Sequence, residues 1–269
     1  MPAIQPARLR QQAVLLAEAF DRPAAFVRSL HHLLDFYADR AHRPGQSGSA
    51  RSLLPAYHVR APVLRQLIVE LGPYIQAQPQ AAFELGRALW EQEFLEFRML
   101  AISITGQIPP QPPEPVLAQL GAWLETRPES TMIEALLTQG LARVRQEFPE
   151  RLLAQIDAWL EAESDYWRQI GLRALRITAA DPAYPNLPYF FSRIQPFVRS
   201  APAALRPYVL DVLYSLIERS PQEAAYFLRQ TLEIPESPDA PRLVRQAASA
   251  FPPQQQESLR QALRKVNPL

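Results

Sequence analysis

Cysteine is absent from these 269 residues. That excludes a disulfide framework, a thiolate nucleophile and cysteine-ligated zinc. Nothing then ties the chain to an oxidising compartment, and the expected location is the cytoplasm. Glycine is scarce, eight in all, and the sequence holds no G-x-x-x-x-G-K, no paired-glycine nucleotide loop and no G-x-S-x-G. Phosphate-cradling loops and a nucleophile elbow are therefore not expected. No apolar run approaches the roughly 20 residues of a membrane span, and polar and charged residues interrupt the N-terminal stretch MPAIQPARLRQQAVLLAEAF. The expectation is a soluble chain with no signal segment and no membrane partner. His31, His32, His42 and His58 lack HExxH or comparable spacing, so neither a metal nor another cofactor is expected. Lysine is nearly missing too: of 28 basic residues, Lys265 alone is not arginine. Arginine's planar fork suits phosphate contact and base stacking, although an Ala-, Arg- and Pro-rich composition also reads as codon bias.

What is present in abundance is helical periodicity and proline. Hydrophobic residues make up 48% of the chain, enough for a sizeable core. After Pro62, Leu64, Leu67, Ile68, Leu71 and Ile75 recur at the spacing of one helix face. Leu152, Leu153, Ile156, Trp159 and Leu160 repeat the pattern, as do Leu205, Val209, Val212, Leu213, Leu216 and Ile217. Prolines at 62, 149, 202 and 221 mark helix starts, and Ser220 to Glu223 has capping-box spacing. Helices are expected almost throughout, one of them running from 130 to 147, and convincing strands almost nowhere. The segment IPPQPPEP, 108–115, reads as a stiff polyproline spacer. RPGQSGSARS, 43–52, reads as a mobile loop separating the first two helices from the rest. Short connections favour antiparallel pairs, and pairs recurring every ~35 to 45 residues build a HEAT-like solenoid. The fold expected is thus an all-α solenoid of antiparallel helix pairs, with an N-terminal pair at 1–45 continuous with a repeat domain at 46–269.

Charge is uneven along a nearly neutral chain. Residues 168–219 carry seven arginines against three acids, whereas residues 60–135 carry five against nine. A curved fold would bring Arg168, Arg173, Arg176, Arg193, Arg199 and Arg206 onto one surface facing an anionic partner. The opposing reading pairs them with neighbouring acids on solvated helix faces.

The stretch YHVRAPVLRQLIVELGPYI, 57–75, resembles the opening segment of the DNA alkylation repair (AlkD-like) family of HEAT-repeat DNA glycosylases. ALWEQEFLEFRMLAI (88–102), ESDYWRQIGLRALRI (163–177) and SLIERSPQEAAYFLRQ (215–230) are similar to later segments of that family, in the same order. The resemblance spans about residues 57–265. It implies a double-stranded DNA partner, phosphate contacts from Arg60 and the six arginines above, and excision of cationic alkylated bases.

In that chemistry a carboxylate stabilises an oxocarbenium-like sugar as the base departs. The family carries the carboxylate behind a Trp-Trp-Asp-x-x-Asp motif. The corresponding stretch here, TRPESTMIEALLTQGL, puts Glu129 and Ser130 in place of the tryptophans, Thr131 in place of the first aspartate and Glu134 in place of the second. Glu134 is the catalytic candidate, one methylene longer than the family's acid. The family's arginine falls on Ile170, with Arg168 or Arg173 nearby, and its later tryptophan falls near Val212, with Tyr208 and Tyr214 close in sequence. Trp90, Trp123, Trp159 and Trp167 sit in amphipathic helices and are expected to pack between them. Two readings follow: a DNA-binding repair protein of this family, or a non-catalytic solenoid holding a protein or peptide.

Overall fold

Residues 5–41 and 52–266 are described by the computed structural model. The predicted loop lies outside them except for Ser52. Fifteen α-helices and no strand follow in order among these residues: α1 (Pro6–Ala17), α2 (Pro23–Tyr37), α3 (Ala61–Ala77), α4 (Pro79–Trp90), α5 (Leu95–Thr105), α6 (Glu114–Glu125), α7 (Ser130–Ala135), a π-helical turn (Leu136–Gly140), α8 (Ala142–Glu147), α9 (Pro149–Glu161), α10 (Asp165–Ala180), α11 (Leu187–Arg199), α12 (Arg206–Arg219), α13 (Pro221–Glu233), α14 (Ala240–Ala247), a 3₁₀ turn (Ala248–Ala250) and α15 (Pro253–Val266). Pro23, Pro62, Pro79 and Pro221 occupy the first turn of their helices, where a missing N–H leaves no bond unmade and φ is already set. None of the helices is long and apolar enough to cross a membrane.

The chain forms two compact units, Met1–Arg151 and Leu152–Leu269. In the first, α1 packs on α3, α2 on α4 and α3 on α5; in the second, α10 packs on α12, α11 on α13, α12 on α14 and α13 on α15. Within each unit these helices meet the one two places on, as in an all-α solenoid. The N-terminal pair α1 and α2 stacks directly on the pair that follows it.

Side-chain bonds report the step between layers. Arg87 to Gln119 spans 32 residues, Ser103 to Gln139 and Arg193 to Asp157 each span 36, and Arg219 to the Ala179 carbonyl spans 40. The last three spans fall inside the period of ~35 to 45 expected from the sequence, and the first is shorter.

The core follows the predicted faces except at Leu153, which is half-buried, and at two residues of α3. All six apolar residues named for α12 are buried, as are Leu67, Leu71 and Ile75 of α3, and each such side chain contributes about 1.5–3 kcal/mol by leaving water. Leu64 and Ile68 are only half-buried; they line a cleft.

Four local expectations are corrected. The helix over 130–147 breaks into α7, the π turn and α8, because α5 approaches so closely that a Cβ on Gly106 would lie 2.0 Å from the Gln139 carbonyl oxygen. The π turn accommodates that crossing. Helix α12 begins at Arg206 rather than Pro202: residues 202–205 form a turn closed by the Leu205 N–H on the Pro202 carbonyl at 2.9 Å. Ser220 makes no capping bond to the backbone; its hydroxyl donates to the Glu223 carboxylate instead, at 3.3 Å. The 108–115 segment bends, with the Gln111 N–H bonded to the Pro109 carbonyl at 3.0 Å and a cis peptide at Gln111-Pro112.

Candidate functional site

The segment ahead of α3 is a strap, and its bonds explain why Tyr57 stands there. The Glu129 carboxylate accepts from the Ser52 hydroxyl at 3.0 Å and from the Leu53 N–H at 2.8 Å. Further on, the Pro55 carbonyl accepts from the Leu95 N–H and the Tyr57 carbonyl from the Asp39 N–H, both at 3.0 Å. Tyr57 stacks on Phe94 with ring centroids 4.7 Å apart and shares a 2.7 Å hydrogen bond with His31 Nδ1. His31 in turn lies 4.4 Å from the Phe97 ring. Burial raises the Tyr57 phenol above its ordinary pKa, and the charges of Asp35 and Glu96 push it the same way. Tyr57 therefore fixes the start of α3 by aromatic packing.

Fixing that start positions a cleft of about 550 Å³ inside the first unit. Ala61, Leu64, Arg65 and Ile68 of α3 form one wall, Met99, Leu100 and Ser103 of α5 the floor, and Gly106, Gln107, Gln139 and Ala142 the far side. The Ser103 Oγ lies 2.9 Å from the Met99 carbonyl, one turn back on α5, and 3.1 Å from Gln139 Oε1 of the π turn, two acceptors for its one proton. Of the nine acids in residues 60–135, none lines this cleft, and Arg65 is its one charged lining residue. Both Arg65 and Arg60, the residue before Ala61, are exposed. Nothing among the described residues pairs with either guanidinium. Arg65 lies five residues after Arg60 and shares a face of α3 with Leu64 and Ile68; that spacing is the signal that marks it.

Glu134 sits half-buried on α7 and does not line the cleft. Its backbone carbonyl accepts from the Thr138 hydroxyl at 2.7 Å. Glu129, which stands where the resemblance puts a tryptophan, anchors the strap and also accepts from the Thr131 hydroxyl at 2.7 Å. Ile170 and Val212, at the positions of the family's arginine and later tryptophan, are fully buried. The tryptophans pair by unit: Trp90 on Trp123 at 4.6 Å, and Trp159 on Trp167 at 6.3 Å, each pair within 9° of parallel. The Arg98 guanidinium covers the Trp90 face at 5.2 Å, a cation–π contact.

The second unit employs several of the named arginines internally. Arg168 pairs with Asp165 at 3.3 Å and Arg206 with Asp239 at 2.8 Å. Arg193 grips Asp157 with two nitrogens, Nε at 2.8 Å and a terminal nitrogen at 2.9 Å. Arg199 donates to the Ser237 hydroxyl and the Pro235 carbonyl at 3.3 and 3.2 Å. Arg173 lies over the Tyr208 ring at 5.9 Å, and Arg176 is half-buried on α10. Arg168 and Arg193 come together at a second pocket, of about 340 Å³, alongside Asp157 and Glu161.

Tyr189 belongs to this network. Its hydroxyl donates to Asp157 at 2.8 Å, and its pKa is pushed up by burial first and then by the bond and charge of Asp157, against the opposing Arg193. A phenol raised in the folded state contributes stability that is fully present below the unfolded tyrosine pKa of about 10 and is lost as pH rises beyond it. The stability advantage of the natural chain over Tyr189→Phe is expected to hold up to about pH 9 and to shrink by about pH 11. Urea unfolding across that range checks it; a constant difference would remove Tyr189 from the alkaline response.

A family model described as DNA alkylation repair enzyme matches residues 30–201. Comparison with curated proteins and with solved structures gives no match. The family match runs from α2 into the second unit, takes in the strap and the cleft, and covers well over half of the chain: the protein belongs to the DNA alkylation repair enzyme family.

Proposed function

We propose that this protein binds double-stranded DNA through the phosphate backbone, using Arg60 together with Arg168, Arg173, Arg176, Arg193, Arg199 and Arg206, and that it releases alkylated bases. The family match over residues 30–201 is the observation that carries this reading. Arg60, exposed and without a partner among the described residues, is the best placed of the seven. In base release, the N-glycosidic bond breaks with both electrons going to the base. A cationic base leaves neutral, and water adds to the sugar with loss of a proton. Glu134, ionised, would stabilise the positive charge on the sugar; it has no need to protonate a leaving group that already carries its charge.

Fluorescence anisotropy with a short duplex at several salt concentrations tests the binding. The logarithm of the affinity is expected to fall linearly with the logarithm of salt, and Arg60→Gln to reduce that slope by about 0.9, one phosphate contact. No binding at low salt overturns the reading. Glu134→Gln is expected to abolish release of an alkylated base while leaving duplex affinity unchanged; an unaltered excision rate takes Glu134 out of the chemistry.

The pairing of Arg168, Arg193 and Arg206 with acids favours a second reading, a scaffold that holds a protein or peptide without catalysis. A chain that ignores DNA at low salt is the result that would select it.

A further inference from the structure

Several arginines between 168 and 219 are spent inside the second unit, Arg168 on Asp165, Arg193 on Asp157 and Arg206 on Asp239. Unspent charge lies further on, past the end of the family match at residue 201. Residues 240–269 hold Arg242, Arg245, Arg260, Arg264 and Lys265 against one acid, Glu257. The first two stand on α14 and the other three on α15, helices that pack on each other. Leu243 and Val244 of α14 and Leu259 of α15 are buried, whereas all five basic residues are exposed.

Little holds these cations. Arg245 donates to the Pro241 carbonyl of its own helix at 3.1 Å. Arg260 donates to Gln256 at 3.4 Å and lies 3.7 Å from Glu257, an exposed pair of small worth. No hydrogen bond or ion pair engages the side chain of Arg242, Arg264 or Lys265 among the described residues. Arg242 and Arg245 are three residues apart, and Arg260 and Arg264 four apart, so each pair shares a helix face on which like charges repel. An anion lying across these faces relieves the repulsion.

We propose, on the basis of the DNA reading, that the exposed faces of α14 and α15 are a duplex-binding surface beyond the matched residues, with Arg242, Arg264 and Lys265 on backbone phosphates. A duplex carries one charge per ~1.7 Å of its axis, so cations fixed on two helices meet phosphates in any register, and guanidinium forks suit them. An acidic protein segment would have to place its carboxylates to match. The division of labour within the unit follows: Arg168, Arg193 and Arg206 hold neighbouring elements together, and the last two helices supply charge for a partner.

Anisotropy with a labelled duplex at several salt concentrations compares the natural full chain with Arg242→Gln, Arg264→Gln and Lys265→Gln combined. The triple variant is expected to reduce the slope of log affinity against log salt by about 2.7, three phosphate contacts at about 0.9 each. Arg242→Lys with Arg264→Lys keeps the charge and is expected to keep the slope. Arg22→Gln, Arg28→Gln and Arg40→Gln combined remove the same charge from exposed sites of the first unit, and are expected to change the slope by less than about 0.9, one contact. Arg264 and Lys265 stand in the last turn of α15, where cations also favour the helix end, so each variant is melted by circular dichroism. Should the triple variant melt lower, Arg242→Gln alone, expected to reduce the slope by about 0.9, decides. A triple variant whose slope falls by less than about 0.9, or falls no further than that of the first-unit control, overturns the surface. A labelled deca-glutamate peptide that the triple variant loses while its duplex slope holds overturns it too, in favour of an acidic protein partner. A natural chain that binds no duplex at low salt removes the DNA reading and the surface with it. Duplex binding whose slope falls for Arg60→Gln but not for the triple variant removes the surface alone.

Discussion

Gly106→Ala is expected to lower the stability of the first unit by about 3 kcal/mol, because overpacking at a rigid contact forces the backbone itself to move. A Cβ there would lie 2.0 Å from the Gln139 carbonyl oxygen, 2.9 Å from its carbonyl carbon and 3.1 Å from the Gly140 Cα. All three are backbone atoms, and no rotamer change relieves them. Gly106 has φ −68°, so alanine suits its conformation and the cost comes from the approach alone. Gly140 is tight against another neighbour, α6, its own Cβ position lying 2.9 Å from Leu120 Cδ2. Gly121 is the control: nothing lies within 4 Å of its Cβ position, and Gly121→Ala in the middle of α6 is expected to stabilise by about 0.5–1 kcal/mol. Thermal unfolding would show the two variants moving in opposite directions, Gly106→Ala downward by roughly 10 °C. An unchanged melting temperature for Gly106→Ala would mean that the π turn yields easily and is not held by this contact.

Asp239→Ala is the second large effect, about 2–3 kcal/mol against the second unit. Its carboxylate accepts from the Ala201 N–H at 2.9 Å and pairs with Arg206 at 2.8 Å. The Asp239 side chain is 13% exposed and that of Arg206 25%, so removing the acid leaves a largely desolvated guanidinium without its partner. The Asp239 N–H also donates to the Arg199 carbonyl at 3.1 Å, tying the turn before α14 to the end of α11. Asp239→Asn keeps an acceptor for Ala201 and is expected to cost about half as much. Urea unfolding of the two variants measures the difference. Equal losses would assign the effect to the ion pair and not to the Ala201 bond. The same geometry bears on DNA work: an Arg206 variant with weakened DNA binding has to be shown still folded before Arg206 is credited with a phosphate contact.

The legible part of the fold is what local chemistry fixes. Proline at a first helical turn marks α3 and α13 because its effect is confined to one turn, and the apolar period of α12 predicts every one of its buried faces. The break after Ala135 escapes such reading. It results from Gly106, some thirty residues away, meeting Gln139, and no window of sequence contains both. The arginines divide along the same line. Their abundance between 168 and 219 is visible in the chain, but whether each is spent on a neighbour depends on Asp157, Asp239 or the Pro235 carbonyl, roughly one repeat away. Arg168 and Asp165, three residues apart, form the pair that helical spacing alone foretells. At the candidate site, Tyr57 is visible as an oddity but its reason is not, since Phe94 and His31 reach it from elsewhere in the chain. The substitution of Glu129 for a tryptophan reads as a loss in the sequence; the structure gives that carboxylate the work of holding Ser52 and Leu53.

The paired tryptophans give each unit its own optical identity. Indole rings this close and this nearly parallel share excitation, so each pair emits as a unit, and the Arg98 cation over Trp90 sets the first pair apart from the second. Replacing Trp159 and Trp167 with phenylalanine leaves only the indoles of the first unit, and replacing Trp90 and Trp123 leaves only those of the second. Fluorescence of the two variants can then time the melting of each unit without an added dye.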